Sequence, residues 1–332
     1  MARRTKDVQK YKLIGAILLT PFFFIGLYFA FTSFFTTIAP TGTLYLSLRP
    51  EPANQNPISI YSLDFKTATL QNLAGDNGDY LTNKYSPDGT KIVYGTYLYN
   101  APKLYVVNSD FSNKVEVPLP PNISIAHSAS WSPDGTILAY QTKTDTDGND
   151  LNPEEWQIYL TNLQTGTYKF VTTGVSPIFT PDGNLLVLKE TGLYLFFLDD
   201  LAAGAPNEGL EGERIIDLED GGGLANMKLG ISPQGDKLAW SVPDRGILYL
   251  FTVKSWDTFD ASLKKTAATT GFWPIFSPDG KYIALEEVET NLAGVFVFPS
   301  IAVFDANTLH KKTILSLQNY STDSLFITDW RY

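Results

Sequence analysis

Few residues of this chain have the types and spacing that chemistry needs. Its 332 residues include two histidines, His127 and His310, and no cysteine. That removes thiol nucleophiles, thiolate-held zinc, iron–sulfur clusters and disulfides, and leaves histidine metal sites short of ligands. Asp145, Asp147, Asn149 and Asp150 form an oxygen-rich cluster. Alternating carboxylates can cage Ca2+, but a helix–loop–helix calcium loop wants Gly sixth and Glu twelfth, where this chain has Asp150 and Trp156. The cluster reads as a solvated loop, and no metal or cofactor is expected. The acidic run Glu208, Glu211, Glu213, Asp217, Glu219 and Asp220 cannot cradle phosphate. Glu286, Glu287 and Glu289 cannot all face one side of a strand, so no paired-carboxylate acid–base site is expected there.

The elements that would position any site are betrayed by a repeat. Ser-Pro-Asp-Gly begins at Ser86, Ser132 and Ser277, with near-copies at Thr180 and Ser232 and a degenerate one at Ala39. Successive starts are 47, 46, 48, 52 and 45 residues apart. The residue types suit a turn: Pro87, Pro133, Pro181, Pro233 and Pro278 preset φ, and Gly89, Gly135, Gly183, Gly235 and Gly280 take the left-handed conformation that ends it. The intervening Asp88, Asp134, Asp182 and Asp279 become Gln234 and Thr41 in two copies, so they read as parts of the turn and not as ligands.

After each glycine comes an apolar triplet such as Ile92-Val93-Tyr94, Leu138-Ala139-Tyr140 or Leu238-Ala239-Trp240, covered on both faces. A third strand follows (Leu104–Val106, Ile158–Leu160, Leu248–Leu250), and then a fourth. Four buried strands per unit of about 48 residues describe a β-propeller blade. Gly42–Leu46 enters as a second strand, and the matching first strand lies in 324–332, where Trp330 occupies the slot of Trp131. The expectation is an all-β, six-bladed propeller over residues 39–332, closed by that last strand.

Residues 1–12 carry a local charge of +4, and Leu13–Leu48 holds no charged residue. Residues 13–38 would rise about 39 Å as a helix, enough to cross a bilayer. The run is too long for a cleaved signal, and the best cleavage site is followed by Pro40. The expected topology is a transmembrane signal anchor with a cytoplasmic basic flank and an exported propeller, in the periplasm or on the cell surface. The net charge of −10 becomes −14 in the exported part, which argues against a nucleic-acid partner.

The aromatic-Ser-Pro-Asp-Gly-x-x-Ile/Leu-Ala/Val unit resembles the Pro-Asp repeat of TolB-like, WD-repeat-like propellers, also found in the propellers of dipeptidyl-peptidase-like serine peptidases. The resemblance covers 39–332. It implies a channel mouth that receives a protein or peptide. The N-terminal α/β domain and cleaved signal of TolB proper have no counterpart in this sequence, nor has the Gly-x-Ser-x-Gly elbow of the peptidases.

Catalysis in a propeller would sit at the central channel, lined by the first strands. Those segments offer Asn83, Ser128, Ser130, Ser176, Asn226, Lys228, Trp273 and Asp329, with His127 nearby. No nucleophile–base pair stands out. The expected function is a protein- or peptide-binding scaffold of the envelope, not an enzyme, using His127, Trp273, Lys228 and Asp329 at the channel mouth. The alternative is a hydrolase or lactonase-type propeller holding a metal on channel carboxylates. The anchor joins at the start of a second strand, so the Ser-Pro-Asp-Gly face should lie toward the membrane. The opposite loops, Arg49–Pro57, Pro118–Ala126, Lys143–Glu155 and Glu287–Ser300, should then point outward. Their acids, Glu287 and Glu289 among them, favour a basic partner or a cation.

Overall fold

A computed structural model describes residues 40–51, 53, 57–67, 69–73, 80–96, 103–144, 155–198, 209–217, 228–242, 246–290, 296–317, 319–320 and 325–332. The segment 13–38 and the cluster Asp145–Asp150 lie outside the described residues, as does Asn226. Among the described residues no helix is long and apolar enough to cross a membrane.

The repeat folds as six four-stranded antiparallel sheets. Blade 1 runs from Phe326–Arg331 through Thr43–Leu48 and Ser59–Asp64 to Thr69–Asn72. Blades 2 to 6 follow in chain order, with innermost strands Tyr80–Tyr85, Ile125–Trp131, Val175–Phe179, Lys228–Ile231 and Phe272–Phe276. Each innermost strand packs beside the next, and Phe326–Arg331 lies between those of blades 6 and 2. The C-terminal strand therefore closes the ring, so the first blade presents no unpaired inner edge.

Six apolar clusters fill the spaces between adjacent blades, and the triplets explain why. Leu138 faces blade 2 while Ala139 faces blade 4; Leu238 and Trp240 face blade 4 while Ala239 faces blade 6. Alternation along one strand thus feeds two cores at once, and the small middle residue lets the next sheet approach.

The turns show what the recurrent residues do. Ser86 Oγ donates to Asp88 Oδ1 at 2.6 Å and accepts the Lys91 amide at 3.0 Å, while the Gly89 amide donates to Ser86 O at 2.9 Å. Gly89 sits at φ +74°, and the copies at Gly135, Gly183, Gly235 and Gly280 share that region. The Ser86 hydroxyl, followed by the Thr90 amide and hydroxyl, holds the Asp88 carboxyl down at about 2. In the copy with Gln234 the carboxylate has moved two places on: Ser232 Oγ donates to Asp236 at 2.8 Å. The turn keeps its acid by changing its address.

Candidate functional site

All six innermost strands contribute to one central cavity, with about 590 Å3 of atom-free space including its open mouth. Its lining includes Asn83 and Lys84 from blade 2, Ser128 and Ser130 from blade 3, and Ser176 from blade 4. Lys228, Trp273, Phe326 and Thr328 complete the circuit through blades 5, 6 and 1. Five of the innermost strands carry an irregularity there. Ser128, Ser176 and Trp273 sit at φ 55° inside three of them. A left-handed residue in the bulge re-aims its neighbours, here toward the axis.

The end away from the Ser-Pro turns carries the aromatic and cationic groups. Lys228 and Phe326 open their strands and Trp273 is second in its own. The Trp273 and Phe326 rings meet edge to face at 5.8 Å, and the Lys228 ammonium lies 4.4 Å from the Trp273 ring centre. Lys228 is 7% exposed, and burial brings its amine down to about 8. His127 accepts or donates with Ser128 Oγ at 2.8 Å and packs edge-on against Trp156. Desolvation, then the charge of Lys228, pushes the imidazole down to about 3, so it stays neutral although part of the ring is solvated.

Expectation and structure diverge at four places. Neither His127 nor Asp329 is among the residues lining the cavity: the imidazole packs against Trp156, and the Asp329 carboxylate accepts the Trp330 amide at 2.9 Å and Arg331 Nε at 2.8 Å. The bulge in the last strand presents Thr328 to the axis instead. Lys84 lines the cavity and was not anticipated, because the bulge between Leu81 and Lys84 breaks the alternation that would point it outward. Glu287 is no outward acid. The sixth blade's middle strands extend through Tyr282–Thr290 and Phe296–Asp305, and Glu287 is buried among them, paired with Lys311 at 2.5 Å and accepting from Thr269 Oγ1 at 2.5 Å.

Two further charged side chains are buried. Lys143, with its side chain 1% exposed, pairs with Glu155 at 2.9 Å. Glu286 is 7% exposed, its Oε2 lacks a hydrogen-bond partner, and desolvation raises its carboxyl well above the usual range. Among the described residues no three His, Asp or Glu side chains gather where they could hold a metal ion.

No family model matches the sequence. Solved structures do share the architecture. TolB from Acinetobacter baumannii is 17% identical over 92% of this chain and 70% of its own, with a TM-score of 0.62. The chain is a six-bladed propeller of TolB-like fold. An oligogalacturonate lyase in complex with manganese matches at 15% identity over 80% of this chain and 72% of its own, TM-score 0.53. A nidogen/laminin complex matches at 10% identity over 88% and 99%, TM-score 0.59. Identities this low speak for the fold, which hosts binding and catalysis alike.

Proposed function

We propose that this chain is a binding module of the cell envelope: an exported propeller, tethered by its N-terminal apolar segment, that takes a protein or peptide at the open end of its central cavity. The observation that carries this reading is the cavity lining. It holds hydroxyls, an amide, two lysines and two aromatic rings, contributed by all six blades, with Lys228, Trp273 and Phe326 at the end away from the Ser-Pro turns. Polar groups fixed on a rigid ring, with an aromatic wall beside them, suit recognition of an extended segment. The resemblance of the Pro-Asp repeat to that of TolB-like propellers implies a partner protein in preference to a small substrate.

Pull-down of the full chain from detergent-extracted membranes tests the reading. Recovery of a protein partner that survives moderate salt is expected. The competing enzyme reading draws on the lyase likeness. Release of unsaturated uronides from oligogalacturonate, or opening of a lactone, dependent on added manganese and with no partner recovered, would replace the binding reading.

A further inference from the structure

In the central cavity, burial and charge oppose each other. Lys228 is nine-tenths buried, and among the described residues no carboxylate stands within ion-pair distance of it; its neighbour is the face of Trp273 at 4.4 Å. Lys84 lines the same cavity from blade 2, diametrically opposite blade 5 in a ring of six. The acid whose charge acts on Lys84 is Asp329, which is already engaged by Arg331 and the Trp330 amide. None of the described lining residues is Asp or Glu. In a protein with a net charge of −10 the described lining is thus cationic. An ammonium taken out of water without a counter-ion is destabilised, and a bound anion would offset that.

We infer that the cavity recognises an acidic peptide segment through its carboxylates, Lys228 taking one at the end away from the Ser-Pro turns and Lys84 a second nearer to them. This rests on the reading of the chain as a peptide-binding propeller and names what the peptide must carry. Aligned on the Ser-Pro turns, Lys84 stands two residues before Ser86 and Lys228 four before Ser232. The lysines are therefore offset by roughly 7 Å along the axis at about 3.3 Å per strand residue. That offset suits two acidic residues of one extended chain better than the oxygens of a single phosphate. Nor is any described lining residue an arginine that could grip phosphate with a planar fork. Ser128, Ser130, Ser176 and Thr328 add hydroxyls around the path, and the Trp273–Phe326 pair offers an apolar wall for the peptide's carbon atoms.

The test uses the full chain in detergent and fluorescence anisotropy of a fluorescein-labelled hexaglutamate peptide. Hexaglutamate is expected to bind at least tenfold more tightly than hexaglutamine. Lys228→Met and Lys84→Met should each weaken it tenfold or more, and Lys228→Arg should restore it. Lys254→Met, on an exposed side chain, should leave it unchanged. Melting curves taken alongside show that each variant is folded. Equal binding of hexaglutamine, unchanged affinity in folded Lys228→Met, or inorganic phosphate competing at lower concentration than acetate overturns the inference. The membrane pull-down separates the two levels. A partner recovered equally by Lys228→Met and by the native chain removes the carboxylate assignment and leaves the binding reading intact. No partner from either chain removes the binding reading itself.

Discussion

Two buried side chains carry a stability cost that their chemistry makes measurable. Lys228 holds its folded pKa near 8, below the value of the unfolded chain, so the unfolded state binds more protons between those limits and stability rises with pH across them. Lys228→Met should abolish that rise and stabilise the chain at pH 7 by up to about 3 kcal/mol, at the rate of about 1.4 kcal/mol per pH unit. Peptide affinity should move the other way in the native chain, falling as pH climbs through about 8 and the ammonium is lost. Of the groups facing it, His127 is neutral throughout and the innermost strands of blades 4 and 6 bring no titratable side chain, while burial, opposed by the nearby Asp329 charge, also lowers the Lys84 amine. Measured in Lys84→Met, Lys228→Arg, which keeps its charge, should flatten the response. Glu286 has the opposite sign. Its folded pKa lies above the unfolded one, so it contributes stability in acid that is lost as pH rises above the ordinary carboxylate range. Thermal melts of Glu286→Gln should show a smaller loss between pH 5 and 8 than the native chain.

Turns and strand crossings make different demands on glycine. Gly135 stands at φ +71°, and an added Cβ would meet only Pro87 Cδ at 3.9 Å, so Gly135→Ala carries backbone strain alone, about 1–2 kcal/mol. Gly230 has no such φ, yet a Cβ there would lie 2.1 Å from the Pro274 carbonyl oxygen, where the innermost strands of blades 5 and 6 pass. Gly230→Ala should cost more, about 3 kcal/mol or beyond, because backbone has to move. Denaturant midpoints of the two variants check the order. The contrast also marks what was legible in the sequence. A repeated turn announces itself in four letters, and its spacing carries the blade count, strand order and ring closure. Bulges do not announce themselves: nothing in Tyr80–Tyr85 distinguishes a strand whose alternation breaks before Lys84 from one that runs straight. Hence Lys228 and Trp273 could be placed at the axis from strand order, while Lys84 and Asp329 exchanged roles. Glu287 misled for a related reason, since long strands and a partner lysine remote in sequence turned an apparent loop acid into a buried pair.

At the scale of the molecule, one strand joins the ends of the ring. Arg331 Nη2 donates to Ser86 O at 2.7 Å and its guanidinium stands 4.9 Å from the Tyr85 ring, tying blade 1 to the first turn of blade 2. Thr328 Oγ1 donates to Asn83 Oδ1 at 2.8 Å across the same seam. Arg331→Met should remove the charge-assisted hydrogen bond and lower unfolding stability by about 2 kcal/mol, read as a denaturant midpoint shift without change of slope. The ring so closed presents two unlike faces, and the proposal assigns binding to the one at which Lys228, Trp273 and Phe326 line the cavity. Site-specific photo-crosslinking in intact cells tests that assignment most directly, with p-benzoylphenylalanine replacing Phe326 on that face or Thr90 on the Ser-Pro face. A discrete protein adduct from position 326, reduced by Lys228→Met and absent from position 90, is the predicted result. An adduct formed at position 90 and not at 326 would contradict the account.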